Sequence, residues 1–199
     1  MNIKILFLLL TIMMMFTTAV LGQAEKREVE DSIDRSEMPE KALETLDSFW
    51  PDLEGIRYFA ETDGDTETYE AKLEWDGKQF SIEFTGRGYI IDVEQLVTRE
   101  EISSEVNGNI DRYLSTEFTR IRITRLQRQF IADDDDEVDN IDFIDDILES
   151  DEEDYEVRYE LEVEGKSGSA IGAFELLFDH YGELIQRRKI VRRSLDNIW

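Results

Sequence analysis

One histidine and no cysteine leave this chain few ways to do chemistry. His180 sits in "FDHYGEL", between two apolar runs, the setting of a solvated turn rather than of a general base. A lone histidine and no thiol make no strong zinc set. "GKS" at Gly165 ends like a phosphate loop, but that motif needs a further glycine where Glu160 stands. What remains is carboxylate: 48 acidic residues against 22 basic, a net charge of −26. Among so many, spacing cannot single out a glycosidase-like pair. The longest acidic run, "DDDDEVDNIDFIDDILESDEED" from Asp133 to Asp154, has the oxygen ligands a hard cation wants. An EF-hand loop, however, requires glycine at its sixth position. Counting from Asp133, Val138 stands there; counting from Asp63 in "DGDTET", Thr68 does. The run therefore reads as a solvated loop that repels itself. Ile141, Phe143, Ile144, Ile147 and Leu148 interrupt it with the spacing of a short docking helix. No catalytic residue, metal ligand or cofactor is assigned, and the chain is expected not to be an enzyme.

Charge and the first residues bound the partners and the compartment. A surface this negative repels phosphate backbones and anionic lipid, so nucleic acid and membrane are excluded as partners. "MNIK" followed by the apolar run Ile5 to Leu21 and the small residues Gly22 and Ala24 has the form of a secretory signal peptide. Its removal places the protein outside the cytoplasm, periplasmic or extracellular, with no membrane contact afterwards. Residues 25–36 read as a linker.

The elements that must position any site come from an internal repetition. "FSIEFTGRGYIIDVEQLV", from Phe80, is echoed by "FELLFDHYGELIQRRKIV", from Phe174; Phe84 falls on Phe178 and Gly88 on Gly182. Upstream, "YEAKLEW" from Tyr69 resembles "YEVRYEL" from Tyr155. The offset differs between the blocks. The first copy turns on "WDGK", a tight hairpin signal, and the second on "EGKSGSAIG", read as a longer loop. Tyr69, Ala71, Leu73 and Trp75 alternate with polar residues, as do Phe80, Ile82 and Phe84, and Tyr155 through Val163, so these are half-buried antiparallel strands. A helix precedes each set. Ala42, Leu43, Leu46, Phe49 and Trp50 make one apolar stripe; Ile102, Val106, Ile110, Tyr113 and Leu114 make the other, opened by the capping box Thr98–Glu101. The expected fold is α+β: two tandem repeats, residues 37–97 and 98–199, each a helix packed on a four-stranded antiparallel meander, the second carrying the acidic insertion 133–154. A unit this small buries only about 60 % of its unfolded surface, so pairing two is physically reasonable.

Met38 and Pro39 opening the helix, Tyr69 and Glu70, the "DGK" turn at Asp76 and Gly77, then Phe84 and Gly88, resemble the PepSY-like, beta-lactamase-inhibitor-like family of exported bacterial proteins. Tyr155, Glu156, Phe178 and Gly182 are the second set. The resemblance spans most of 37–197. It implies tandem helix-plus-sheet repeats, export, a role in binding or inhibiting another protein, and no catalytic residues. The acidic insertion departs from the family pattern.

The polar face of the sheet is thus the candidate binding surface. Glu70, Lys72 and Glu74 of the first copy and Glu156, Arg158 and Glu160 of the second are expected to meet an exported or envelope protein. The alternative is an acidic cation-binding or envelope-associated structural protein acting through 133–154. The basic residues Arg120, Arg122, Arg125 and Arg128, with Arg187, Arg188, Lys189, Arg192 and Arg193, read either as a docking patch for an acidic partner or as internal neutralisation. Internal neutralisation is preferred, since cross-strand charge pairs are common and the acidic loop is tethered to the same strand.

Overall fold

The computed structural model describes residues 24–26, 29–63, 66–132, 139–149 and 155–191. The candidate signal peptide, apart from its last residue, lies outside them. The fold is α+β. Nine antiparallel strands, β2 to β10, form one meander sheet, and three helices cover its apolar face. The strands are β2 (Val29–Ile33), β3 (Arg57–Asp63), β4 (Thr66–Trp75), β5 (Lys78–Phe84), β6 (Ile90–Leu96), β7 (Arg120–Ile131), β8 (Glu156–Ser167), β9 (Ala170–Phe178) and β10 (Leu184–Ile190). A tenth, β1 (Ala24–Lys26), pairs parallel with β10.

Helix α1 (Glu40–Phe49) buries Ala42 and Leu46, and α2 (Ser104–Glu117) buries Val106, Ile110 and Leu114. A 3-10 turn precedes each. Asp34 and Glu37 close a capping box around Arg35–Glu37, as Thr98 and Glu101 do around Arg99–Glu101. The Thr98 box thus caps this short turn. Helix α2 itself begins after Ser103, whose hydroxyl accepts from the Val106 N–H at 3.3 Å. Arg35 reaches Asp47 at 2.6 Å and Arg99 reaches Asp111 at 2.5 Å, each twelve residues on, tying the turn to its helix. The helix caps Trp50 and Phe118 pack on the sheet in turn, Trp50 against Trp75 and Phe118 against Phe174.

Two glycines fix how the helices sit. Gly88 and Gly182 both have φ of +81°. A methyl group at Gly88 would stand 2.7 Å from the Ala42 nitrogen, and one at Gly182 would stand 2.6 Å from the Val106 carbonyl. Each strand-connecting turn therefore presses bare backbone onto a helix.

The register revises three expectations. Tyr69 pairs with Phe84, but it is Tyr159, not Tyr155, that pairs with Phe178. A four-residue slip keeps inward and outward positions unchanged, so alternation alone could not detect it. The second hairpin is not a long loop either. Strands β8 and β9 run on to Ser167 and Ala170, leaving Gly168 and Ser169 as the turn; the extra residues lengthen the arms. The segment expected as a linker contributes the edge strand β2 and most of β1.

Within the acidic insertion, Asn140–Glu149 forms helix α3, with Phe143, Ile144 and Ile147 buried in the common core. Asn140 anchors it. Its amide donates to the Thr45 hydroxyl at 2.7 Å and the Gly88 carbonyl at 2.8 Å, and its carbonyl accepts from the Ile90 N–H at 3.0 Å. Residues 133–138 and 150–154 lie outside the described residues.

The sheet curls. Its order places β1 at one edge and β2 at the other, yet Lys26 and Val29 are three residues apart. Three residues span at most about 11 Å, whereas ten strands laid flat would separate their edges by about 43 Å. The helices lie on the apolar outer side, so the polar side chains line the inside of the curl.

Candidate functional site

The inner face is built by alternation. Every second residue of β4 through β9 that does not meet a helix points inward, where no helix covers it. Glu61, Glu70, Ser81, Asp92, Gln127, Glu160 and Glu175 are nevertheless buried. Neighbouring side chains on the concave face hide them, to 7 % exposure for Glu70 beneath Lys72 and 2 % for Glu175 beneath Arg188. Polar groups buried this way must be paired. The Ser81 hydroxyl donates to Glu70, the Gln127 amide to Glu94, and the Gln129 amide to Asp92 at 2.8 Å. Arg188 meets Glu175 at 2.5 Å across β10 and β9.

Lys72 is the charged centre of one end. Its ammonium lies 2.8 Å from Glu30 and 2.8 Å from Glu70, and 4.7 Å from the centre of the Phe59 ring. Burial pulls the Lys72 pKa down, but its bonds to Glu30 and Glu70 outweigh that and hold it above the ordinary lysine value. Glu30, Glu61 and Glu70 bring carboxylate oxygens within 4.8 Å of one another, a grouping that could hold a cation. The chain's own ammonium takes up the same charge.

A second cluster surrounds Asp92. Glu83 is its direct cross-strand partner, Glu94 lies two residues on, and Glu160 approaches from β8. Burial first, then these carboxylates, push Asp92 well above the usual aspartate range, and the Gln129 amide works against them. A groove of about 570 Å³ lies beside the clusters, lined from β3 to β8 and including Lys72, Glu74, Ser81, Glu94, Arg125 and Glu162.

The six residues expected to meet a partner divide. Glu74 and Glu156 are exposed, Lys72 and Arg158 half-buried, and Glu70 and Glu160 buried. Arg158 pairs with Glu156 at 2.7 Å, as Lys72 does with Glu70. Three strands, β5, β6 and β7, separate the β4 trio from the β8 trio. Glu70 and Glu160 were expected on an open face; the curl encloses both. Asp92, Gln127, Gln129 and Glu175 belong to the same surface, and only the alternation of their strands signalled it. His180 lies in an exposed turn against Tyr181, whose carbonyl accepts from Asn109 of α2 on the helix side.

The basic residues are partly neutralised within the domain: Arg122 by Glu164 at 2.7 Å and Arg188 by Glu175 in the sheet, and Arg187 by Glu117 of α2 at 3.5 Å; Arg192 and Arg193 lie outside the described residues. The described part of the acidic insertion, helix α3, packs at the Gly88 turn. The insertion leaves β7 just after Ile131, eleven residues along the strand from Arg120, or about 36 Å.

No protein-family model and no curated protein matches the chain. Solved structures do. A protein described as periplasmic from Bacteroides eggerthii aligns with a TM-score of 0.52 at 14 % identity, over 76 % of this chain and 88 % of its own. A DUF2874 family protein from Bacteroides uniformis aligns at 0.51 and 14 %, over 76 % and 88 %. A BLIP-like protein from Bacteroides fragilis aligns at 0.48 and 13 %, over 81 % and 92 %. The shared fold rests on the first two. Among the described residues, no helix is long and apolar enough to cross a membrane.

Proposed function

We propose that this is an exported, non-enzymatic protein-binding module, inhibitor-like in kind, that takes its partner on the inner polar face of the curled sheet. The observation that carries the reading is the groove lined continuously by six strands, with acidic and basic side chains held in place by their neighbours. Fixed charges of both signs suit recognition of a complementary surface. The description of the Bacteroides eggerthii neighbour as periplasmic, and the form of the first 24 residues, support export. The module is a duplication, residues 37–97 and 98–199. The matched Arg35–Asp47 and Arg99–Asp111 pairs and the matched turns at Gly88 and Gly182 support it.

The test is cross-linked capture from the exported proteome of the source cell, with Lys72→Glu and Glu74→Lys as the control. One dominant partner, lost on reversing those charges, is the expected result. Capture of no partner, or of a partner indifferent to the reversal, ends the reading.

A further inference from the structure

We infer that the projecting ends of β7, β8 and β9 form a docking groove for an acidic polypeptide segment with an apolar anchor residue. The inference rests on the protein-binding reading and places a second contact, further along the same strands. By equal counts from Phe84 and Phe178, Gly165 and Gly172 stand where the first hairpin has Trp75 and Lys78. The arms of the second hairpin continue past this point, to Ser167 and Ala170. A groove of about 580 Å³ lies there. Arg120 and Lys166 rim it together with Arg122, which is paired with Glu164 in the same lining, and Ile171, at 74 % exposure, stands in it beside Lys166.

Two features are hard to explain as stabilising. Arg120 and Lys166 are direct cross-strand partners, and like charges so placed destabilise a sheet. Ile171 is the most exposed of the large apolar side chains among the described residues, and it sits beside Lys166, itself paired with Arg120, in a chain of net charge −26. A carboxylate-rich segment relieves the first, and an apolar side chain laid on Ile171 covers the second. The scale of screening selects a short polypeptide over a membrane or a nucleic acid. Charges beyond about 10 Å are largely screened in physiological salt, so a peptide in the groove feels mainly these cations. An extended anionic surface also meets the rest of this acidic molecule.

The test is fluorescence anisotropy with a labelled nonapeptide of aspartates and glutamates around a central leucine, titrated with the full chain. Saturable binding at 50 mM salt is expected to weaken at least fivefold at 300 mM. Ile171→Ser, and the double change Arg120→Glu with Lys166→Glu, should each reduce affinity at least tenfold. Neither should shift Tm by more than about 2 °C, because these side chains are exposed. A peptide with serine for leucine should bind at least fivefold more weakly. Absence of saturable binding, or binding unchanged by both variants, overturns the inference. So does Ile171-dependent sedimentation with phosphatidylglycerol vesicles in place of peptide binding, which would make the ligand a lipid surface. Self-association lost on Ile171→Ser would make the occupant a second copy and overturn it equally. If the nonapeptide fails while capture through Lys72 and Glu74 succeeds, only this groove is wrong. If the wild-type chain captures nothing, the reading beneath it fails as well.

Discussion

Asp92 is held in the fold at a cost that depends on pH. Its folded pKa stands above the unfolded value, so the native state binds this proton more tightly. The sign follows from linkage: the stabilising contribution is present below the ordinary aspartate value and is lost as pH rises through the raised one. Asp92→Asn keeps a carbonyl for the Gln129 amide and removes the charge. It should raise stability at pH 7 by about 1 kcal/mol or more, with the gain shrinking as pH falls towards 4, read from urea unfolding at a series of pH values. Lys72 has the opposite character. Lys72→Met leaves Glu30 and Glu70 facing each other without their cation. Unfolding at neutral pH should show a loss of about 1–3 kcal/mol, discounted from the value for a fully buried pair because Lys72 keeps some contact with water. Both residues were legible as polar-face positions from alternation. Their burial was not, since strand periodicity specifies a face and says nothing of whether that face is concave.

Among the elements, the turns and α3 decide how the helices meet the sheet. Gly88→Ala and Gly182→Ala each place a methyl group within 2.7 Å of helix backbone and in a left-handed conformation. Each should destabilise by about 2 kcal/mol or more, measured by denaturant midpoint at constant m. The glycines stood out in the sequence as turn residues, but the helix they touch is remote in the chain. Asn140→Ala should cost about 2–3 kcal/mol, because it strands the Ile90 N–H and the Gly88 carbonyl together. The spacing of Phe143, Ile144 and Ile147 announced a docking helix inside an acidic run. Asn140, which fixes where that helix docks, carried no signal, since an asparagine before a helix is ordinarily read as a cap alone.

At the scale of the molecule, the N-terminal segment holds both edges of the sheet. Strand β1 pairs with β10 and β2 with β3, and Glu30 of β2 reaches Lys72 of β4. A chain beginning at Asp34 leaves the outer edge of β3 unpaired, and open edges template association. It should sediment as a concentration-dependent oligomer where the chain that retains residues 24–33 is expected to sediment as a monomer. A monomeric truncation would show that the edge is protected by other means.

The sequence by itself determined the class of each element, because period two and period 3.6 are local properties of side-chain direction. It also determined that the polar residues of β4, β5 and β8 share one face. Only the tertiary structure decided that this face curls inward, that Ile171 stands exposed beside the Arg120–Lys166 pair, and that α3 locks onto the turn at Gly88. Each of these depends on strand twist accumulated over ten strands or on contacts between residues up to 95 positions apart. No local pattern carries that information.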